Sequence, residues 1–352
     1  MRNFHHKLGQ CNICQMEYQP KYIGSSEKLL TIFIVSAFFV VLSFSSCEES
    51  TSSRDVSKIK EDEPYWRGWN KYQIKPEDGL AKYGRELIEN TAYYLGPKGS
   101  VAAITNGMNC QNCHLDGGTL PWANNYGAVS STYPRFRDRS GSIETIEKRV
   151  NDCLERSLNG KSIDSSSKEM QAIVSYLHWL GDDVPKGKKP KGSGIMELPY
   201  LDRPADPVLG KLVYQSKCQS CHGVDGAGQL NVEGYGYAYP PLWGKNSYNS
   251  GAGLFRISRF AGYVKNTMPF GQVDHRNPIL SDEEAWDVAA YVNTKPRPSK
   301  DLSNDWPNIS KKPVDHPFGP YSDGFTEEQH KYGPFKPIIE ARKKQASNAT
   351  GP

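Results

Sequence analysis

Cys110-Gln111-Asn112-Cys113-His114 and Cys218-Gln219-Ser220-Cys221-His222 repeat the pattern C-x-x-C-H, about one small domain apart. The spacing has a mechanical reason. Two thiols on one turn add to the two vinyl groups of a haem, and the histidine that follows ligates the iron from the same face. One occurrence is compatible with half a zinc site. Two in one chain predict two covalently bound haem c groups, attached at Cys110, Cys113, Cys218 and Cys221, with His114 and His222 as iron ligands.

Outward from the motifs the chain repeats itself. Residues 166–177 (SSKEMQAIVSYL) align without a gap to residues 281–292 (SDEEAWDVAAYV). Each copy opens as a capping box, Ser166 with Glu169 and Ser281 with Glu284, and continues with apolar residues at helical spacing. This is the closing helix of a small cytochrome domain, present twice. Thirteen residues before Ser281 stands Met268, in Thr267-Met268-Pro269; thirteen before Ser166 stands Cys153. Met268 is therefore expected as the sixth ligand of the second iron, with a cysteine at the equivalent position for the first. By spacing alone Met170 competes at the first site, but it lies on the apolar stripe of its helix and is read as core. His275, His316 and His330 compete with Met268 at the second, and Cys153 as a plain buried thiol is the bland alternative.

The rest of the chain sets the frame. It has 352 residues, enough for two domains, and a net charge of +4, which gives no sign of nucleic-acid binding. An apolar run from Leu29 to Phe44 ends in Ser45-Ser46-Cys47. That resembles a bacterial lipoprotein leader, so the chain is expected on the periplasmic side, membrane-anchored through lipid on Cys47. Cys11 and Cys14 precede that run and lack a following histidine. The expected fold is all-α, two tandem small c-type cytochrome domains with a Pro-rich C-terminal strap. The expected division is 1–47 targeting segment, 48–65 linker, 66–200 first domain, 201–296 second domain, and 297–352 strap and tail, frayed beyond about Ala341.

Residues 142–158 show helical periodicity in Ile143, Ile146, Val150, Cys153 and Leu154. On one helix Arg149, Cys153 and Ser157 share a face. Arg156 follows closely, with Arg135, Arg137 and Arg139 upstream. Guanidinium groups favour the thiolate form of a cysteine, and the same field draws in a small dianion. The arginines can equally serve haem propionates or a solvated surface.

Here the chain resembles the dihaem thiosulfate dehydrogenase (tetrathionate synthase) family, over about Tyr83 to Ile339. The likeness rests on Arg149 through Arg156-Ser157-Leu158-Asn159-Gly160, on Tyr239-Pro240-Pro241-Leu242-Trp243-Gly244, on Gly251-Ala252-Gly253 and on Met268-Pro269. It continues in Gly319-Pro320-Tyr321-Ser322-Asp323-Gly324-Phe325 with Gln329-His330. The resemblance implies a catalytic first haem with His114 and Cys153 as ligands, and Arg149 and Ser157 binding substrate. It implies a second haem with His222 and Met268 that passes electrons to a small cytochrome or other acceptor. The implied reaction joins two thiosulfates into tetrathionate. Thr267 departs from relatives with a lysine there that exchanges with the methionine. Rival readings are a dihaem electron carrier without substrate, a tetrathionate reductase or other sulfur-compound enzyme, and, more distantly, a dihaem peroxidase.

Overall fold

A computed structural model describes residues 79–349; Cys11, Cys14, Cys47 and the expected start of order near Trp66 lie outside the described residues. Within them, eight helices have six or more residues: α1 Gly79–Glu89, α2 Ile146–Arg156, α3 Lys168–Leu180, α4 Pro207–Lys217, α5 Ile257–Thr267, α6 Asp282–Asn293, α7 Glu327–Tyr332 and α8 Lys336–Ala349. Short helical turns and two short antiparallel ribbons complete the regular structure, the ribbons being β1 Arg135–Arg137 with β2 Ser142–Glu144, and β3 Gln229–Leu230 with β4 Tyr237–Tyr239. Among the described residues no helix is long and apolar enough to cross a membrane.

Each half is built on one helix crossing, and a glycine makes each possible. A Cβ on Gly84 of α1 would lie 1.9 Å from the Ala172 carbonyl oxygen of α3; a Cβ on Gly210 of α4 would lie 1.9 Å from the Asp287 carbonyl oxygen of α6. Ala172 and Asp287 occupy the same place in the repeat, so the alignment of the two closing helices holds in three dimensions. Leu87, Ile88, Ile173, Tyr176, Leu177 and Leu180 fill the first crossing. Tyr214, Trp243, Trp286, Val288, Ala289 and Val292 fill the second, whose core extends into the first half through Leu95, Met108 and Leu154. Met170 is fully buried, as its place on the stripe predicts.

Three local expectations need correction. The cap of α3 is Ser167, whose side chain accepts from Met170 N–H. Ser166 is drawn instead to Asp164, which accepts from both its N–H and its hydroxyl, and Glu169 accepts from Tyr83. The Ser281–Glu284 box forms in full. The helix read from residue 142 begins only at Ile146, because residues 142–144 pair with β1, where Phe136 faces Ile143 and both side chains are exposed. The tail stays helical to Ala349: Ile338 is buried in the core and Arg342 bonds to Asp323 and to the Lys312 carbonyl.

Residues 300–316 lie against both halves. Lys300 pairs with Glu155, Trp306 N–H donates to the Arg139 carbonyl, and Arg156 makes two 2.8 Å bonds to Asp305. Asp315, buried, accepts from Arg256 and Ser258 of the second half.

Candidate haem sites and the cysteine helix

At the first motif Cys110 opens a short 3₁₀ turn, Cys110–Asn112. Its start is fixed by Asn109 and Asn112, and by the Thr91 hydroxyl, which accepts from Cys110 N–H. His114 stacks on Tyr126, and its Nδ1 lies 2.5 Å from the Asn124 carbonyl. That oxygen can only accept, so Nδ1 carries the proton, and the Nε2 lone pair meets only the Asn124 side-chain amide at the long distance of 3.5 Å. Burial lowers the pKa of His114 to about 4, the Asn124 carbonyl opposing and Arg149 adding. The ring is therefore neutral at ordinary pH, as a metal ligand must be. The second site repeats this design, with His222 Nδ1 donating to the Pro240 carbonyl at 2.8 Å and burial lowering its pKa. Among the described residues, all four motif thiols are free of disulfide bonds. Free thiols and oriented, neutral imidazoles are the donor set that covalent haem attachment requires.

Cys153 and Arg149 sit one turn apart on α2, and Ser157 caps it, its N–H donating to the Cys153 carbonyl at 2.8 Å. The Cys110 and Cys113 thiols are raised to about 11 and about 12, chiefly by burial, with nearby Cys153 among the contributors to both. The structure thus brings Cys110, Cys113, His114, Arg149 and Cys153 to one place. Domain two helps hold the helix there: Asn249, buried, donates to the Glu155 carbonyl and to Asn159, while its N–H bonds the Arg156 carbonyl. Carbonyls at a helix end otherwise lack partners. Asn249 carries no sequence signal, since its role depends on a contact between distant segments.

The arginines separate by their partners. Arg156 is spent on Asp305, with Arg139 also 3.9 Å from that carboxylate. Arg137 lies 3.8 Å from Glu144, and Arg135 lies over the Tyr133 ring. The Arg149 guanidinium has no ion pair or side-chain hydrogen bond among the described residues. Its pKa is raised, chiefly by Cys153, against the effect of burial. The Ser157 side chain is half-buried.

Met268 ends α5 with its N–H on the Val264 carbonyl. It lies half-buried at the edge of a cluster of Leu115, Ala123 and Tyr263, and Val264 links that cluster to the core that holds Cys218. Of the rivals, His330 has Nδ1 on the Val314 carbonyl and Nε2 on Asp323, so neither nitrogen is free for a metal. His316 packs among Trp306 and Phe318.

The helical halves and their two attachment motifs define a c-type cytochrome that binds haem c. Residues 100–185 match the SoxA/TsdA cytochrome c domain and residues 207–295 match cytochrome c. The thiosulfate dehydrogenase of Psychrobacter arcticus is 43% identical over 58% of this chain and 61% of its own length. That of Allochromatium vinosum is 43% identical over 55% of this chain and 72% of its own. The thiosulfate dehydrogenase TsdBA of Marichromatium purpuratum superposes with a TM-score of 0.59 at 29% identity, over 69% of this chain and 50% of that one. The chain belongs to the thiosulfate dehydrogenase family.

Proposed function

We propose that this protein oxidises thiosulfate at its first haem site, joining two thiosulfate dianions through a new S–S bond into one tetrathionate dianion. Two electrons are released and no proton is taken up or lost. Cys110, Cys113, His114 and Cys153 would hold the first haem, and Cys218, Cys221, His222 and Met268 the second. When bound, each haem accepts one electron, so the pair matches the two-electron reaction. Thiolate ligation lowers the first potential relative to methionine ligation at the second, which sets the direction of flow.

Arg149 carries this reading. It is the one arginine of its cluster whose charge is not met by a carboxylate or an aromatic ring, and Cys153 is its main electrostatic neighbour. A guanidinium so placed can grip the oxygens of a dianion with paired hydrogen bonds, and the Ser157 hydroxyl can add a third. Arg156 is paired with Asp305 and Arg139 lies near the same carboxylate, whereas Arg149 has no carboxylate partner of its own. Electrons leave from the second site, where Val224, Leu230 and Tyr239 expose apolar surface near His222 to a small cytochrome or other acceptor. Export with a lipid on Cys47 fits the leader.

Anaerobic thiosulfate oxidation by the holoprotein, with a cytochrome c as acceptor, tests this reading. Cys153→Met should keep both haems, raise the first potential and nearly abolish turnover. Arg149→Ala should retain the His/thiolate electron paramagnetic resonance signal and raise KM. Near-normal activity of Cys153→Met would overturn the proposal and leave an electron carrier.

A further inference from the structure

One residue of the second half ties the first attachment loop to the helix that ends at Met268. Tyr263, on α5, is 5% exposed and has its ring among Leu115 and Ala123 of the first half. Its hydroxyl donates to the backbone carbonyl of Asn112 at 3.1 Å. Asn112 lies inside the first motif, between Cys110 and Cys113. One turn further along α5, Met268 N–H donates to the carbonyl of Val264, the residue next to Tyr263, at 3.0 Å. The Thr267 hydroxyl donates to the carbonyl of Tyr263 itself at 2.7 Å. From the first attachment loop to Met268 the connection is thus covalent bonds and two hydrogen bonds, with no gap across space. The helix is also fixed in register: a Cβ on Gly262 would lie 2.2 Å from the Met196 carbonyl oxygen, so α5 sits directly on the segment that links the halves.

We propose that Tyr263 is the positioning residue that couples the two redox sites, its hydroxyl joining the first attachment loop to the helix that presents Met268 to the second. This rests on the dihaem reading above, with Met268 as a ligand. One electron moves, the first site being oxidised and the second reduced. No bond forms or breaks, and Tyr263 is not itself oxidised: it keeps its proton and donates the same hydrogen bond throughout. Electronic coupling falls less steeply through bonds and hydrogen bonds than across empty contacts, so the hydroxyl matters where the ring alone does not.

The test uses the full-length holoprotein and its Tyr263→Phe variant, which keeps the ring in its cluster and removes only the hydroxyl. A photoexcited flavin delivers one electron without thiosulfate, and the redistribution between the haems is followed by absorbance. The expected result is a clear loss of rate, because without the hydroxyl the path must cross the gap to the Asn112 carbonyl through space. Both midpoint potentials and both low-spin resonance signals should stay unchanged. An unaltered rate would overturn the proposal. So would a slower rate accompanied by a shifted second potential, which would mean that Met268 had been displaced. Because thiosulfate is absent, failure of the substrate reading would show separately, in the parent protein's turnover. A haem count of one per chain would sink the dihaem reading and this proposal together.

Discussion

Replacing Asp305 by asparagine should destabilise the protein more than any other single charge removal near the cysteine helix. Asp305 receives two 2.8 Å bonds from Arg156, and the side chains of the pair are only 9% and 12% exposed. Arg139 adds a second guanidinium at 3.9 Å, 13% exposed. Asparagine has nearly the same shape, but it carries no charge and offers one acceptor oxygen in place of two. Two nearly buried cations would be left facing each other. Breaking a buried pair by removing one partner costs about 3–5 kcal/mol, and the residual exposure places this case near about 3 kcal/mol. For a body of this size that corresponds to a fall in Tm of about 6–10 °C. Thermal unfolding of the holoprotein, followed by circular dichroism, reads it directly. The double variant Arg156→Met with Asp305→Leu should recover part of the loss, since an apolar pair leaves only Arg139 unmatched. A fall of less than about 2 °C for Asp305→Asn would refute the reasoning, because the pair would then behave like an exposed one. A double variant no better than the sum of its parts would do the same.

The remaining predictions concern the haems, the helix crossing and acid stability. A pyridine haemochrome assay should find two haems c per chain, and Cys218→Ala should leave about one. Gly84→Ala should lower stability by about 1–3 kcal/mol despite alanine's better helix propensity, because its Cβ would stand 1.9 Å from the Ala172 carbonyl oxygen; a stabilised variant in the same denaturation assay would contradict the crossing. At Asp315 burial raises the carboxyl pKa, but Arg256 and Ser258 lower it by more, so the net shift is downward. Such a group contributes its full stability above the unfolded value of about 3.9 and loses it as pH falls through the folded value. Arg256→Gln should therefore move the acid-unfolding midpoint to higher pH, and an unmoved midpoint would count against that pair.

Sequence legibility followed the range of the interactions. The haem motifs and the repeated closing helix were readable because each is set by neighbours a few residues apart: two thiols on one turn, or apolar residues at helical spacing. The repeat even survives a local error. Ser167 in place of Ser166 caps α3, yet Ala172 and Asp287 still meet Gly84 and Gly210 at equivalent points. Ile143 is apolar and fits the helical spacing but stands 72% exposed on a ribbon, because apolar spacing by itself does not guarantee burial. The arginines show the other limit. Five guanidinium groups near one cysteine look alike in sequence, and only folding assigns Glu144 to Arg137 and Asp305 to Arg156 and Arg139.

That assignment changes the meaning of the repeat. Met268 and Cys153 occupy equivalent places, but Met268 follows the last turn of its helix, whereas Cys153 lies within α2, with Arg149 one turn before it and Ser157 one turn after. Extending the helix past the ligand position surrounds the sulfur with side chains from both adjacent turns. At Met268 the corresponding residues are Val264, whose carbonyl is bonded to Met268, and the loop after the helix. Met268, at a helix end, has apolar neighbours, Leu115, Ala123 and Tyr263 among them. A ligand inside a helix, with an uncompensated guanidinium on the same face, is also equipped to hold an anion. On the proposed function, the same domain plan serves electron transfer in one copy and substrate binding in the other, and the structural difference between the copies lies in where α2 stops.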